Sequence, residues 1–336
     1  MNIDFDNAAI AMIGHGSWAT ALVKILTDNG VRVNWYVRNS EVRESLEHNK
    51  RNPKYLTNIQ FNTQTIKLHS DINHAVRESQ VVILATPSAF LEGVLHELTV
   101  SLDGKFILSA VKGIIPNGYL TIAEYVNQAY GISFDHIGVV TGPCHAEEVA
   151  LERLSYLTVV AKNLDTAARL GARFANRNIR VSTSTDIYGT EYAAVLKNIY
   201  AIAVGMSHSL RYGDNFMAVL IANASDEMSR FMKATYPSPR NTNDSAYLGD
   251  LLVTCYSQFS RNRAFGLMIG KGYSVKYAQM EMNMVAEGYY SAACIKKVLE
   301  RYDTKIDMPI VEAVYGVLYQ MKSARDQMDA ILDHLV

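Results

Sequence analysis

Three short stretches of this chain combine residue types whose spacing suits chemistry. In the first, an apolar run from Ala9 to Ile13 leads into Gly14-His15-Gly16-Ser17-Trp18-Ala19 and then into a segment of helical periodicity. That order matches the G-x-G-x-x-G/A fingerprint, a buried strand turning sharply into a helix. Gly14 permits the tight turn, Gly16 lets a pyrophosphate approach the backbone, and Ala19 lets the helix pack closely on the strand. The N–H groups near Ser17 and Trp18 would then face phosphate oxygens, helped by the helix dipole. A glycine-rich turn without a ligand is the plainer alternative. In the second stretch, Lys197 and Asn198 are the strongly polar side chains of an otherwise apolar helix, Ala193–Met206. Lys197 shares a face with Ala193, Ala194, Tyr200 and Ala201. Burial lowers an ammonium pKa, which suits a proton donor and acceptor near neutral pH. A lysine snorkelling at a domain edge or held in a structural ion pair fits the same pattern. The third stretch holds Asp250, just after a glycine, and Ser260-Arg261-Asn262-Arg263. Asp250 could cap backbone N–H groups or hold a lysine or a substrate hydroxyl. Ser260 is a natural N-cap, and the donors behind it suit a phosphate, although an ordinary capped basic turn reads the same way.

The elements around these stretches fall into two halves. Strand-like runs at 8–13, 31–37, 81–85, 106–109 and 137–140, with two more at 156–161 and 179–182, alternate with helical stretches. Such alternation predicts a doubly wound parallel sheet with ligands at the carboxyl ends of its strands. Thr86-Pro87-Ser88, Lys112-Gly113 and Thr141-Gly142-Pro143 lie at such ends. Beyond about residue 185 the strand signal stops and helices follow, separated by Gly, Pro and Asn/Ser clusters. The expected fold class is therefore α/β: a Rossmann-type domain over 1–185 followed by an all-helical domain over 186–336.

Composition limits the function classes. The 336 residues are 49% hydrophobic and 19% charged, with a formal net charge of −1 and no long basic run. Neither a nucleic-acid partner nor an anionic membrane surface has electrostatic support. No apolar run is long enough to span a membrane, and residues 1–7 do not read as a secretory leader. Three cysteines at odd number and wide spacing suggest neither a disulfide framework nor a metal knuckle, so a cytoplasmic protein is expected. His145, Glu147 and Glu148 have no supporting ligand cluster and read as the start of a helix, so no metal site is expected.

Taken together, the landmarks resemble the bacterial-type NAD(P)-dependent sn-glycerol-3-phosphate dehydrogenase family over nearly the whole chain. They are GHGSWAT (14–20), ATPS (85–88), SAVKGI (109–114), TGPCHAEEVA (141–150), EYAAVLKNIYAIAVGM (191–206), LGDLLVTCYSQFSRNRAFG (248–266), VAEG (285–288) and MPIVEAVY (308–315). The resemblance implies NAD(H) or NADP(H) as cofactor, a small-molecule substrate, and a role in supplying glycerol 3-phosphate for phospholipid synthesis. It implies Lys197 as proton acceptor and donor, with Lys112 touching cofactor and substrate. Asp250 completes the polar network, and Ser260, Arg261, Asn262 and Gly142 hold substrate, Arg261 also meeting the cofactor. Gly14, Gly16, Ser17, Trp18, Arg38, Ala146, Val285 and Glu287 match cofactor positions. Two departures stand out: Ala19 replaces the commoner third glycine, and Cys144 stands where the family carries Ser or Thr, which weakens any hydrogen bond to substrate there. Arg38 follows the second strand, with no carboxylate until Glu41, so NADPH is expected to be accepted alongside NADH. A homodimer is left open. The competing readings are a β-hydroxyacid-type dehydrogenase, which needs no Ser-Arg-Asn-Arg turn, and a non-catalytic NAD(H) sensor, which needs no Lys112, Lys197 and Asp250 together.

Overall fold

The computed structural model describes residues 3–282, 284–302 and 305–336. Among them eight strands form one sheet: β1 (Ile10–Ile13), β2 (Val33–Tyr36), β3 (Ile66–His69), β4 (Val81–Leu84), β5 (Phe106–Ser109), β6 (Ile137–Thr141), β7 (Ser155–Ala161) and β8 (Ile179–Ser184). Their order across the sheet is β3-β2-β1-β4-β5-β6-β7-β8. The strands β1, β4 and β5 are buried at every position, as expected where a parallel sheet is covered on both faces. The order reverses between β1 and β4, the point at which an open α/β sheet presents a crevice to ligands.

Two details depart from the sequence expectation of a wholly parallel sheet of seven strands. β7 runs antiparallel to β6, because the connection across 142–154 contains only the short helix Ala146–Ala150 and does not carry the chain back along the sheet. β3 is the added strand. It lies at the sheet edge, and Lys67 and His69 interrupt its apolar run, so its hydrophobic signal is weak.

The turn after β1 is locked from both sides. Gly14 has φ +127°, and a Cβ there would lie 2.7 Å from the carbonyl oxygen of Ala85, just past β4. The Trp35 indole N–H of β2 donates to the Gly14 carbonyl at 2.7 Å, and the Thr86 hydroxyl donates to the Ile13 carbonyl at 3.3 Å. Gly16 differs: a Cβ there would meet nothing within 4 Å.

The chain divides into two compact units, 1–111 with 122–187, and 112–121 with 188–336. The excursion 112–121 thus groups with the helices, not with the sheet whose strand precedes it, and the contiguous division expected at 185/186 leaves it out. Ile114 explains the grouping, since it is 1% exposed and packs in the helical core. At the centre of that core runs the helix Ile187–Ser209, buried almost without interruption from Tyr192 to Met206. Around it pack Gly213–Thr235, Asp250–Tyr256, Arg261–Gly270, Glu287–Leu299 and Pro309–Tyr319. The start of the last is closed by Glu227, whose fully buried carboxylate accepts from the N–H groups of Ile310 (2.9 Å) and Val311 (3.1 Å).

The central helix touches its neighbour backbone to backbone. A Cβ on Gly266 would lie 2.1 Å from the carbonyl oxygen of Ile202, and one on Gly205 2.2 Å from that of Arg263. Nothing larger than hydrogen fits at this crossing. Gly266→Ala is therefore expected to destabilise the fold by about 2 kcal/mol or more through overpacking. Gly93→Ala, on an exposed helix position with open space, should be neutral or stabilising by up to about 1 kcal/mol. Urea unfolding of the two variants checks the contrast; equal midpoints would remove the crossing as a constraint.

Candidate active site

The second unit builds a buried charge cluster from three separate elements. Lys197 projects from the middle of the central helix and is 3% exposed; Asp250 is 1% exposed. Asp250 opens the helix Asp250–Tyr256, which the chain enters through a single π turn, Ser245–Gly249. The Lys197 ammonium pairs with Asp250 Oδ1, and Lys112 Nζ reaches Oδ2 of the same carboxylate at 3.2 Å. Asp250 therefore holds the two lysines and does not act as a simple helix cap; its own carbonyl accepts from the Thr254 hydroxyl.

The two lysines share one carboxylate. Burial pushes the Lys197 ammonium down, the Asp250 charge pulls it back up, and Lys112 pushes it down again, leaving it at about 7. For Asp250, burial raises the carboxyl, but the charges of Lys112 and Lys197 overcome it and hold it below the usual carboxylate range. The side chain of Lys197 is 4% exposed against 20% for Lys112. Burial of this drier lysine is the largest cause of its lowered value.

A chain of amide hydrogen bonds fixes the cluster. The Gly288 N–H donates to Asn262 Oδ1 (2.9 Å), Asn262 Nδ2 donates to Asn198 Oδ1 (2.8 Å), and Asn198 Nδ2 donates to the Lys112 carbonyl (2.8 Å). The chain ties four elements together, including the loop that carries Lys112. Gly288 itself is required by close approach, since a Cβ there would lie 2.5 Å from the Asn198 carbonyl. Sequence reasoning noted Asn198 as polar but gave it no part in the site. The available signal was two consecutive polar residues in an apolar helix, which point about 100° apart and so serve different neighbours.

The remaining predicted residues are placed as follows. Ser260 caps the helix Arg261–Gly270, its Oγ accepting from the Arg263 N–H at 3.3 Å. Arg261 and Asn262 are the first two helical residues, where N–H groups and the helix dipole favour an anion. Both ends of the Asn262 amide are engaged internally, so only its second Nδ2 hydrogen is left for a ligand. Val285 precedes the helix Glu287–Leu299, and Glu287 begins it. In the first unit, Gly14 and Gly16 lie in the turn after β1, Ser17 and Trp18 begin the helix Ser17–Asp28, and Arg38 lies two residues beyond β2. The open space beside Gly16, at the start of a helix whose N-cap has no capping side chain, fits a pyrophosphate passing close to the backbone. Gly142, with φ +118°, follows β6, and Cys144 and Ala146 are buried just beyond it. His145 is the N-cap of the helix Ala146–Ala150, and Glu147 and Glu148 fill its first turn. Among the described residues, no group of three or more His, Cys, Asp or Glu side chains is placed to hold a metal ion.

Comparison with known proteins gives a consistent match. Residues 9–167 match the family model for the NAD-dependent glycerol-3-phosphate dehydrogenase N-terminus, and residues 186–329 that for its C-terminus. A glycerol-3-phosphate dehydrogenase [NAD(P)+] from Prosthecochloris aestuarii is 35% identical over 326 residues, covering 96% of each chain. The Bacillus subtilis protein of that name is 34% identical and covers 96% of this chain and 93% of its own. The crystal structure of glycerol-3-phosphate dehydrogenase from Coxiella burnetii superimposes with a TM-score of 0.89 at 27% identity, covering 98% of this chain and 99% of that one.

The charge cluster carries a stability consequence. Asp250→Ala strands the buried Lys197 ammonium and should cost about 3 kcal/mol or more. Adding Lys197→Met to that variant removes the stranded charge and should recover part of the loss. Chemical denaturation of wild type, single and double variants measures both; an additive double variant would show that the two side chains do not interact.

Proposed function

The chain belongs to the NAD-dependent glycerol-3-phosphate dehydrogenase family, and from that premise we propose that it interconverts sn-glycerol 3-phosphate and dihydroxyacetone phosphate. NAD(H) or NADP(H) is the redox partner, and supply of glycerol 3-phosphate for phospholipid synthesis is the role this reading gives it. The observation that carries it is the buried carboxylate of Asp250 shared by two lysines, with Lys197 poised near neutrality. A simple structural ion pair joins one cation to one anion, whereas here a second lysine shares the carboxylate that holds Lys197. Three cysteines that form no disulfide support a reducing, cytoplasmic setting.

In this reading Gly14, Gly16, Ser17 and Trp18 hold the dinucleotide pyrophosphate, and Arg38 meets the adenosine end. Ala146, Val285, Glu287, Lys112 and Arg261 complete the cofactor contacts. When bound, the nicotinamide supplies or takes up the hydride at C2 of the substrate. Lys197 handles the proton. As a neutral amine it accepts the C2 hydroxyl proton during oxidation; as an ammonium it returns that proton to the C2 oxygen during reduction. Asp250 orients Lys197 and balances its charge in the protonated form. The Asn198 chain holds Lys112 against the same carboxylate, so Lys112 can face the substrate oxygen from a fixed loop. Arg261 and Asn262, at the start of their helix, grip the phosphate beside Ser260, and Gly142 and Cys144 are further substrate contacts. Fixing the phosphate fixes the distance from C2 to Lys197, and such positioning supplies a large share of a catalytic barrier reduction.

A turnover assay with dihydroxyacetone phosphate and either reduced dinucleotide tests the function. Unphosphorylated dihydroxyacetone should be used far less well, and Arg261→Lys, which keeps charge but loses the guanidinium fork, should raise KM. Equal use of the two ketones by the wild type would overturn the phosphate assignment. Lys197 gives a second test through pH. Reduction needs the ammonium, so its kcat should fall as pH rises through about 7, whereas oxidation needs the amine and should rise over the same range. Lys197→Met should lower kcat by a factor of about 100 or more in both directions, with dinucleotide binding retained. A variant with near-normal kcat would remove Lys197 from this role.

A further inference from the structure

We propose that Lys54 sets the preference between the two dinucleotides: it holds Glu41 in an ion pair away from the adenosine ribose and leaves Arg38 to receive a 2′-phosphate. The inference rests on the dinucleotide reading above and extends it to residues that the glycine fingerprint does not contain. In Rossmann sites selective for the unphosphorylated cofactor, a carboxylate past the second strand accepts from the ribose hydroxyls; an arginine nearby accommodates the phosphorylated one. This chain carries both side chains, Arg38 and Glu41, in that region, so something else must decide between them.

Glu41 lies in the first turn of the helix Ser40–His48, whose N-cap Asn39 accepts from the Val42 N–H at 2.9 Å. Its Oε2 sits 2.6 Å from Lys54 Nζ. Surface ion pairs of this kind are ordinarily weak and mobile, but here the backbone under the lysine is anchored. Asn52 is fully buried, and its Nδ2 donates to the His15 carbonyl (3.0 Å) and to Thr20 Oγ1 (2.9 Å). Its Oδ1 accepts from the N–H groups of Lys54 (3.0 Å) and Tyr55 (3.2 Å). Thr20 in turn donates to the Gly16 carbonyl at 2.8 Å. One asparagine therefore fastens the turn that carries Lys54 to the glycine loop itself.

The surrounding charges agree. Burial, then Arg38, then Lys54 push the His15 imidazole below its ordinary value, so both cations lie near the residue between the two glycines. Among the described residues Arg38 pairs with Glu97 at 3.4 Å, and the other Glu97 oxygen accepts from the Tyr36 hydroxyl at 2.8 Å. A long, exposed pair of that kind exchanges readily for a phosphate dianion. Glu41 would oppose the same dianion if its charge were not balanced by Lys54. With the pair intact, Arg38 faces a neutralised neighbour; with Lys54 removed, Glu41 is released to repel a 2′-phosphate or to accept from a free ribose diol.

Dissociation constants for NADPH and NADH, read by nicotinamide fluorescence, test this in wild type, Lys54→Ala, Glu41→Ala and the double variant. The Lys54 side chain is 42% exposed, and thermal melts confirm that each variant keeps its fold. Lys54→Ala should weaken NADPH binding by a factor of about five and leave NADH unchanged or tighter, and adding Glu41→Ala should restore NADPH. An equal loss in Lys54→Ala and in the double variant would mean that Lys54 touches the phosphate directly, which overturns the proposal. An unchanged NADPH/NADH ratio in Lys54→Ala also overturns it. A wild-type protein that binds neither dinucleotide would instead overturn the dinucleotide reading itself.

Discussion

A single buried carboxylate facing two ammonium groups is the constraint around which the helical unit is organised. Taking Asp250 and Lys197 out of water costs several kcal/mol per charge, and only close, well-hydrogen-bonded geometry offsets that cost. The structure meets the requirement with backbone geometry. Gly266 and Gly205 let the central helix meet the Arg261–Gly270 helix with no side chain between them, and Gly288 does the same for the helix beyond. The amide chain through Asn262 and Asn198 then carries that rigidity to the Lys112 carbonyl. Small residues set the distances, and polar ones exploit them.

The sheet unit solves a different problem with different means. Its glycine turn presents backbone N–H groups and holds no buried charge, so its precision comes from strand neighbours. Trp35 and Ala85 close on Gly14 from β2 and β4, leaving Gly16 facing open space. Such a turn binds an anion through fixed dipoles, which need no titration and do not change with pH near neutrality. Burial leaves the Lys197 ammonium at about 7, inside that range. In the function proposed above, the division of labour between the units is thus between a pH-indifferent grip and a pH-responsive lysine.

How much of this was legible in the sequence depended on how local each cause was. The glycine turn, the apolar helix around Lys197 and the Ser260 cap each announce themselves within a dozen residues, and each formed where the pattern put it. β3 was not legible because an edge strand with Lys67 and His69 has little hydrophobic period to read. The reversal of β7 depended on the geometry of the preceding connection, which periodicity does not encode. Asn198 was visible as a polar residue, but its partners lie at Asn262 and Lys112, far apart in the chain, and no spacing rule links them. Lys112 was readable from pattern as a residue after a strand, and from the family resemblance as a cofactor and substrate contact; its membership in the helical unit follows from the burial of Ile114.

That membership bears on how the protein acquires its structure. The strip 112–121 leaves the sheet unit's sequence and returns to it at Ile122, so neither unit is one continuous stretch of polypeptide. A ribosome finishes every strand of the sheet before it has made the partners of Lys112: Asn198, Asp250 and, through them, Gly288. Until those residues are made, Lys112 has neither the carboxylate nor the amide that hold it in the folded chain. The lysine–carboxylate cluster is therefore built from contacts of long sequence separation, and such contacts are slow to form. The helical half cut out at residue 188 would lack one of its own lysines.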